Sequence, residues 1–306
     1  MKRFLKKLSY YLKGLGFGLS QLKLPDLLKL LANSQEVIKP LEPYNFSLIL
    51  NIHDRAIGRP ILLKSSYEEV VTQALKPFLK ADTHFLDIGA NIGYYSFLVA
   101  SQCPQGKVFS FEPDCTNFRL FKTGIVYNGF EHIIQPYQMA VSDVNESVLI
   151  FDLGQKNNSG ARLTSRDEQA FHLYQAAKKP TPSTYQTVTA VRLDDFLANT
   201  RVDLVKLDIE GHEPLALRGM MALLRQNQPI IFTEFAPISL GQIGKTTPEE
   251  FLQLFIDLGY QLNILADDGR LIACQQNIPA VMENFAAIRK NHIDLLLTIA
   301  AEESVG

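Results

Sequence analysis

Tryptophan is absent from this chain of 306 residues, and cysteine is scarce, with three residues in all. Cys103, Cys115 and Cys274 are odd in number and stand in no metal-ligand spacing, which argues against a disulfide framework and against zinc, and for reduced thiols inside a cell. Net charge is nearly missing too. The 30 basic and 32 acidic residues leave −2, so no global field draws the protein to nucleic acid, and a local patch would be needed. No uninterrupted apolar run approaches the ~20 residues that a membrane span requires, and no internal repeat is visible. What the chain does have is 46% hydrophobic residues against 20% charged. That is ample for one large soluble domain with extensions.

The local patch lies at the N-terminus. Residues 1–23 carry Lys2, Arg3, Lys6, Lys7, Lys13 and Lys23 without Asp or Glu, while Leu5, Leu8, Leu12, Leu15 and Leu19 recur at helical spacing. A surface helix packed on its own domain is the expectation, with peripheral contact to an anionic membrane as the alternative. Gly14, Gly16 and Gly18 weaken the helix, and no small-residue cleavage site follows a clean apolar core, as a secretory signal would show. Residues 1–59 read as a helical and linker extension, with a short strand at Phe46 to Ile52.

The richest stretch runs from His84 to Ser96. A short apolar run ends in Asp87, turns through Gly89-Ala90-Asn91-Ile92-Gly93 and opens into Tyr95, Phe97, Leu98 and Val99, the pattern of a strand, a turn and a helix. A second strand, Lys107 to Phe111, ends in Glu112, about 20 residues past the turn, where a carboxylate can accept both hydroxyls of a ribose. A dinucleotide turn wants glycine where Asn91 stands, so that backbone can approach a pyrophosphate. The spacing therefore favours a nucleoside cofactor without pyrophosphate, and S-adenosylmethionine meets that description. Gly89, Ala90, Asn91 and Gly93 are the candidates for its methionine end, through close approach and backbone N–H groups, and Asp87 would orient the turn or the ligand's amino group. Ser142 and Asp143, at the end of a third strand (Ile133 to Met139), are candidates for the adenine or merely an ordinary turn.

A second cluster follows a fourth strand. Val202 to Leu207 carries Lys206 and ends in Asp208, then Glu210-Gly211-His212-Glu213 leads into a helix. If the fourth strand lies beside the first, these groups line the same crevice at the topological switch point. Asp208 or Glu210 could serve as general base toward a hydroxyl, and Lys206 completes the catalytic candidates, with pairing to Asp208 as its plainer role. A divalent metal on those oxygens ranks below plain acid-base work. Glu234, at the tip of a fifth strand, is a further crevice candidate. Residues 144–192 break the alternation of strand and helix and read as an inserted hairpin with a long loop, a loose candidate for substrate contact that includes Arg162. The tail after Ile278 reads as helical, with Leu295, Leu296 and Leu297 suited to packing or to a second copy of the chain.

Taken together, Phe85 to Ser96, Phe111-Glu112-Pro113, Ala140-Val141-Ser142-Asp143, Leu193-Asp194-Asp195-Phe196, Val205 to Glu213 and Leu217-Arg218-Gly219 resemble the FkbM family of class I methyltransferases. The resemblance covers about residues 60–275, leaving 1–59 as an extension and 276–306 as a helical tail. It implies an α/β Rossmann-like fold with a mostly parallel seven-stranded sheet and helices on both faces, S-adenosylmethionine as methyl donor, and O-methylation of a sugar or other small-molecule hydroxyl in the cytoplasm. His212 departs from the pattern, in which that residue is commonly small. Two other classes remain open: an NAD(P)-dependent oxidoreductase, disfavoured by Asn91, and a non-catalytic membrane-associated binding module.

Overall fold

The computed structural model describes residues 36–151, 162–164 and 185–299. The basic stretch 1–23 therefore lies outside the described residues, as does most of the loop region 152–184. Among the described residues no helix is long and apolar enough to cross a membrane.

The chain opens with a β-hairpin, β1 (Glu36–Leu41) and β2 (Phe46–Asn51), paired antiparallel across a tight turn that places Asn45 in the left-handed region. Two short helices follow, α1 (Gly58–Lys64) and α2 (Glu69–Leu75). Alternating units come next: β3 (His84–Ile88), α3 (Tyr94–Gln102), β4 (Lys107–Phe111), α4 (Cys115–Asn128) and β5 (Ile134–Tyr137). After an excursion, described below, the alternation resumes with α5 (Leu193–Phe196), β10 (Leu204–Leu207), α6 (Glu213–Arg218), α7 (Met221–Asn227) and β11 (Ile230–Phe235). Helices α8 (Pro237–Gln242) and α9 (Pro248–Ile256), the hairpin β12 (Tyr260–Leu265) and β13 (Leu271–Gln275), helix α10 (Ile278–Ile288) and strand β14 (Ile293–Ile299) complete it.

Among the described residues, eight strands form the main sheet in the order β13-β12-β14-β11-β10-β3-β4-β5. The five strands from β11 to β5 run parallel, and β14 enters antiparallel between β11 and β12. The expected seven strands are all present, and β13 extends the edge by one because the Asp267-Asp268-Gly269 turn folds it back onto β12. Pro136 sits in β5, an edge strand where a missing N–H costs no ladder bond. The core lies on both faces. Phe85, Val108, Leu204 and Phe232 point to one side, packed with α3, α4 and the N-terminal hairpin, while Leu86, Phe109, Val205 and Ile231 point to the other, packed with α6, α7 and α9. That alternation along strands covered on both faces produces the near-continuous apolar runs of the sequence.

Three expectations are corrected here. Residues 36–59 are more than a helical linker: the strand expected at Phe46 to Ile52 is β2, it pairs with β1, and Phe46, Leu48 and Leu50 bury themselves in the core, Phe46 against Tyr94 and Phe97. The tail is helical only through Ile288: Arg289 adopts the left-handed conformation, and Leu295, Leu296 and Leu297 then alternate between the two core faces as strand β14. A short apolar run of this kind fits a buried strand as well as a helix until a gap in a sheet selects one. The third strand ends at Tyr137, and Met139–Val141 (β6) leaves the main sheet for a second one. That sheet has the order β6-β9-β7-β8, with β7 (Glu146–Phe151), β8 (Arg162–Thr164) and β9 (Tyr185–Val191), and it contains the inserted hairpin as the antiparallel pair β7/β9.

Candidate active site

The sheet places β10 directly beside β3, with Lys206 opposite Asp87 and Leu207 opposite Ile88, so the two informative stretches do share one crevice at the carboxyl ends of neighbouring strands. Contact there is close. The N–H of Asp208 donates to the carbonyl of Ile88 at 3.1 Å. Gly89, at φ 89°, has no room for a side chain, since a Cβ would lie 1.9 Å from the carbonyl oxygen of Asp208. A pocket opens above this junction, lined by Gly89, Ala90 and Asn91 on one wall, Glu112 at one end, and Lys206, Asp208, Glu210 and His212 opposite.

Glu112 is built into the glycine turn. Its carboxylate accepts the N–H of Asn91 and the N–H of Asp114, each at 2.8 Å. Burial is the main force on its proton and pushes the carboxyl up to about 8 despite those two donors. Each oxygen retains further acceptor capacity. The turn itself is self-contained: Gly89 and Ala90 donate to the carbonyl of Phe111, Asn91 to Glu112, Ile92 to the Asn91 side chain and Gly93 to the carbonyl of Ala90. All five N–H groups have partners within the protein, so the turn meets a ligand by shape and not by a row of open donors. That corrects the expectation for this stretch.

Asp87, Gly93, Ser142 and Asp143 are not on the pocket wall. Asp87 is 1% exposed and accepts the Ser96 hydroxyl, which also contacts Ser110, so it ties β3 to α3 from inside. Burial raises its carboxyl to about 6. Gly93 faces the Phe121 ring, which a Cβ would strike. Ser142 packs so tightly on Gly219 that a Cβ there would lie 1.9 Å from its carbonyl oxygen, and Asp143 accepts from Arg218 at 3.2 Å. Asp194 likewise braces α7 by accepting the N–H of Leu223. These residues are brackets of the scaffold.

Opposite Glu112 the crevice is charged. Lys206 Nζ, 2% exposed as a residue, donates to Asp208 at 2.9 Å, stands 3.9 Å from Glu68 and 5.4 Å from the centre of the Tyr95 ring. Burial by itself would drive the ammonium down, but Asp208, Glu68 and Asp294 more than reverse this and hold it well above the ordinary lysine range. Lys206 is therefore a fixed cation, not a base. Glu234 on β11 faces Asp294 on β14 across the ladder. Burial, reinforced by Asp208 and Glu210, raises Glu234 to about 9, and burial raises Asp294 to about 6. Glu213 accepts the N–H of Ile209 at 2.8 Å and bridges the turn that carries Glu210, whose backbone sits at φ 59°. His212 is buried at the N-terminus of α6 and borders the pocket.

Sequence reasoning missed Tyr67, Glu68 and Asp294, which arrive from segments far from the motifs. Tyr95 donates to Glu68 at 2.7 Å, and Tyr67 lines the pocket beside Tyr95. No pattern in the chain announces this meeting. Among the described residues no group of three or more His, Cys, Asp or Glu side chains is placed to hold a metal ion, and none of Cys103, Cys115 and Cys274 is in a disulfide.

A parallel sheet with an antiparallel strand inserted beside its last parallel member, and a carboxylate locked to the first glycine turn, defines a Rossmann-like class I methyltransferase fold. Residues 87–262 match the methyltransferase FkbM domain, and the chain belongs to that family. A curated relative, Methyltransferase 1 of Beauveria bassiana (strain ARSEF 2860), is 28% identical over 147 residues, which cover 45% of this chain and 59% of that protein. The chain thus matches well under two thirds of that relative's length. Similar solved structures include the methyltransferase FkbM from Methylobacillus flagellatus KT, 12% identical with a TM-score of 0.41 over 78% of this chain and 52% of that one. Another is M. jannaschii TYW2 in complex with AdoMet, 10% identical with a TM-score of 0.42 over 87% and 85%.

Proposed function

We propose that the protein is an S-adenosylmethionine-dependent O-methyltransferase acting on a hydroxyl of a saccharide unit or a small-molecule natural product. The observation that carries this reading is Glu112, held by two backbone N–H groups at the pocket's end, with Asp208 at the tip of the adjacent strand across the crevice. The residues fit the cofactor: a carboxylate with spare acceptor capacity suits a ribose diol, and a glycine wall without open N–H donors suits a ligand that lacks a pyrophosphate. When bound, S-adenosylmethionine would supply a methyl group on a positively charged sulfur.

The chain's own work is positioning and proton handling. Gly89 to Asn91 form the wall along which the cofactor lies, and Glu112 accepts from its ribose hydroxyls. Asp208 or Glu210 would orient the acceptor hydroxyl and take its proton. Lys206 stays protonated and keeps Asp208 in place. Holding the two reactants in line supplies much of the rate gain. Ser142 and Asp143 support the wall near Val141 through their contacts with Gly219 and Arg218. Residues 1–23 and a cytoplasmic location belong to this proposal as well, with the basic stretch free to touch an anionic membrane.

Incubation with labelled S-adenosylmethionine and a panel of saccharides, lipid-linked sugars and phenolic hydroxyls tests the reading. Label transfer to an oxygen of one class is expected, and transfer to nitrogen or carbon alone would overturn the O-methyl assignment. Asp208→Asn should lower turnover by about a hundredfold, the size usual for loss of a general base.

A further inference from the structure

The turn that should greet the cofactor's amino-acid end offers it little. All five N–H groups of residues 89–93 are spent inside the protein, and Asp87 is sealed behind Ser96. A zwitterionic end needs an acceptor for its ammonium, and a carboxylate from another part of the chain stands directly behind the pocket wall formed by Tyr95 and Lys206. Glu68 lies ahead of the segment 87–262 that the family shares. Its backbone is at φ 39° and ψ 54°, a left-handed conformation that costs a residue with a Cβ roughly 1 kcal/mol or more. It stands at the N-cap of α2, yet its side chain makes no capping bond there. The side chain instead reaches to Tyr95 at 2.7 Å and toward Lys206 at 3.9 Å, with 29% of its surface still open. Lys206 is already bonded to Asp208 at 2.9 Å. One ammonium thus serves two carboxylates, and the pair keeps an uncompensated negative charge beside the wall formed by Tyr67, Tyr95 and Asp208.

We infer that Glu68, oriented by Tyr95, receives the α-ammonium of the cofactor's amino-acid end, a recognition contact contributed from outside the family segment. The inference rests on the methyltransferase reading above. It assigns Glu68 a cofactor-binding role and leaves proton removal to Asp208 or Glu210.

Two probes separate this role from a structural one. S-adenosylhomocysteine carries the ammonium, and 5′-methylthioadenosine keeps the same adenosine and thioether sulfur without it. Titration calorimetry on the full chain and on Glu68→Gln should show a loss of about tenfold for S-adenosylhomocysteine, worth about 1.4 kcal/mol, and less than twofold for methylthioadenosine. Equal loss on both ligands, or loss on neither, would overturn the assignment. If the wild-type chain binds neither probe, the methyltransferase reading itself falls; binding of both with an indifferent Glu68→Gln removes Glu68 alone. Should Glu68→Gln fail to fold, Tyr95→Phe, which removes only the hydroxyl that aims the carboxylate, takes its place. It is expected to weaken S-adenosylhomocysteine about threefold and leave methylthioadenosine unchanged, and a Tyr95→Phe chain without such a selective loss refutes the inference.

Discussion

The two walls of the crevice are made in different ways. On the glycine side, β3, its turn and the tip of β4 lie within the single stretch 84–112, and the work is done by backbone: five N–H groups satisfied in place and a carboxylate clipped to two of its neighbours. On the charged side, Lys206 and Asp208 from β10 meet Glu68 from the start of α2, and Glu234 and Asp294 from two further strands press on the same charges. The first wall is rigid by local geometry. The second is balanced by charge, and it holds only while five distant side chains stay in register. A wall of backbone can define where a ligand lies, whereas a wall of titratable groups can change its protonation with what is bound.

Substitutions that attack one wall at a time sharpen this contrast. Gly89→Ala should be the most damaging, because a Cβ 1.9 Å from the Asp208 carbonyl at φ 89° forces β3 and β10 apart. The combined strain and overpacking are expected to cost on the order of 4 kcal/mol, measured by denaturant unfolding, and a stable variant would break the claim that backbone contact joins the walls. Lys206→Met comes next. Removing the buried cation leaves Asp208 and Glu68 without their partner and should cost about 3 kcal/mol at neutral pH.

Glu112 gives a weaker effect with a definite sign. Its carboxyl, raised to about 8 in the fold, ionises near the ordinary value once unfolded. The unfolded chain therefore loses that proton first, and wild-type stability should fall as pH rises from about 4.5 toward 8. Glu112→Gln, which cannot ionise, should gain on the wild type by roughly 3 kcal/mol between pH 5 and pH 7.5; parallel pH profiles would show that Glu112 is not buried as described. The smallest effect belongs to Asp114, which caps α4 by accepting the N–H groups of Thr116 and Asn117. Asp114→Ala should cost about 1 kcal/mol with little change in the charged wall, and a thermal melt suffices to check it.

Much of the fold was open to reading from residues alone. The strand, turn and helix at 84–102, the Asp114 cap, the Thr247 cap of α9 and the hairpin around Asp267-Asp268-Gly269 all follow from local preferences, and local preferences act over a few residues of chain. The tail showed where this stops. Leu295, Leu296 and Leu297 carry no period that separates helix from strand, and the vacancy between β11 and β12 decided the matter.

The same division runs through the site. Sequence by itself determined the glycine turn, Glu112 at its distance from that turn, and Asp208 at a strand end, because each depends on spacing along one short stretch. Only the tertiary structure decided that Ser142 and Asp143 bracket Arg218 and Gly219, that Asp87 faces inward to Ser96, and that Glu68 reaches Lys206. Those outcomes depend on side-chain direction and on contacts between residues more than a hundred positions apart in the case of Glu68 and Lys206. Composition and spacing carry no information on such distances, while burial and charge balance in the folded chain fix them.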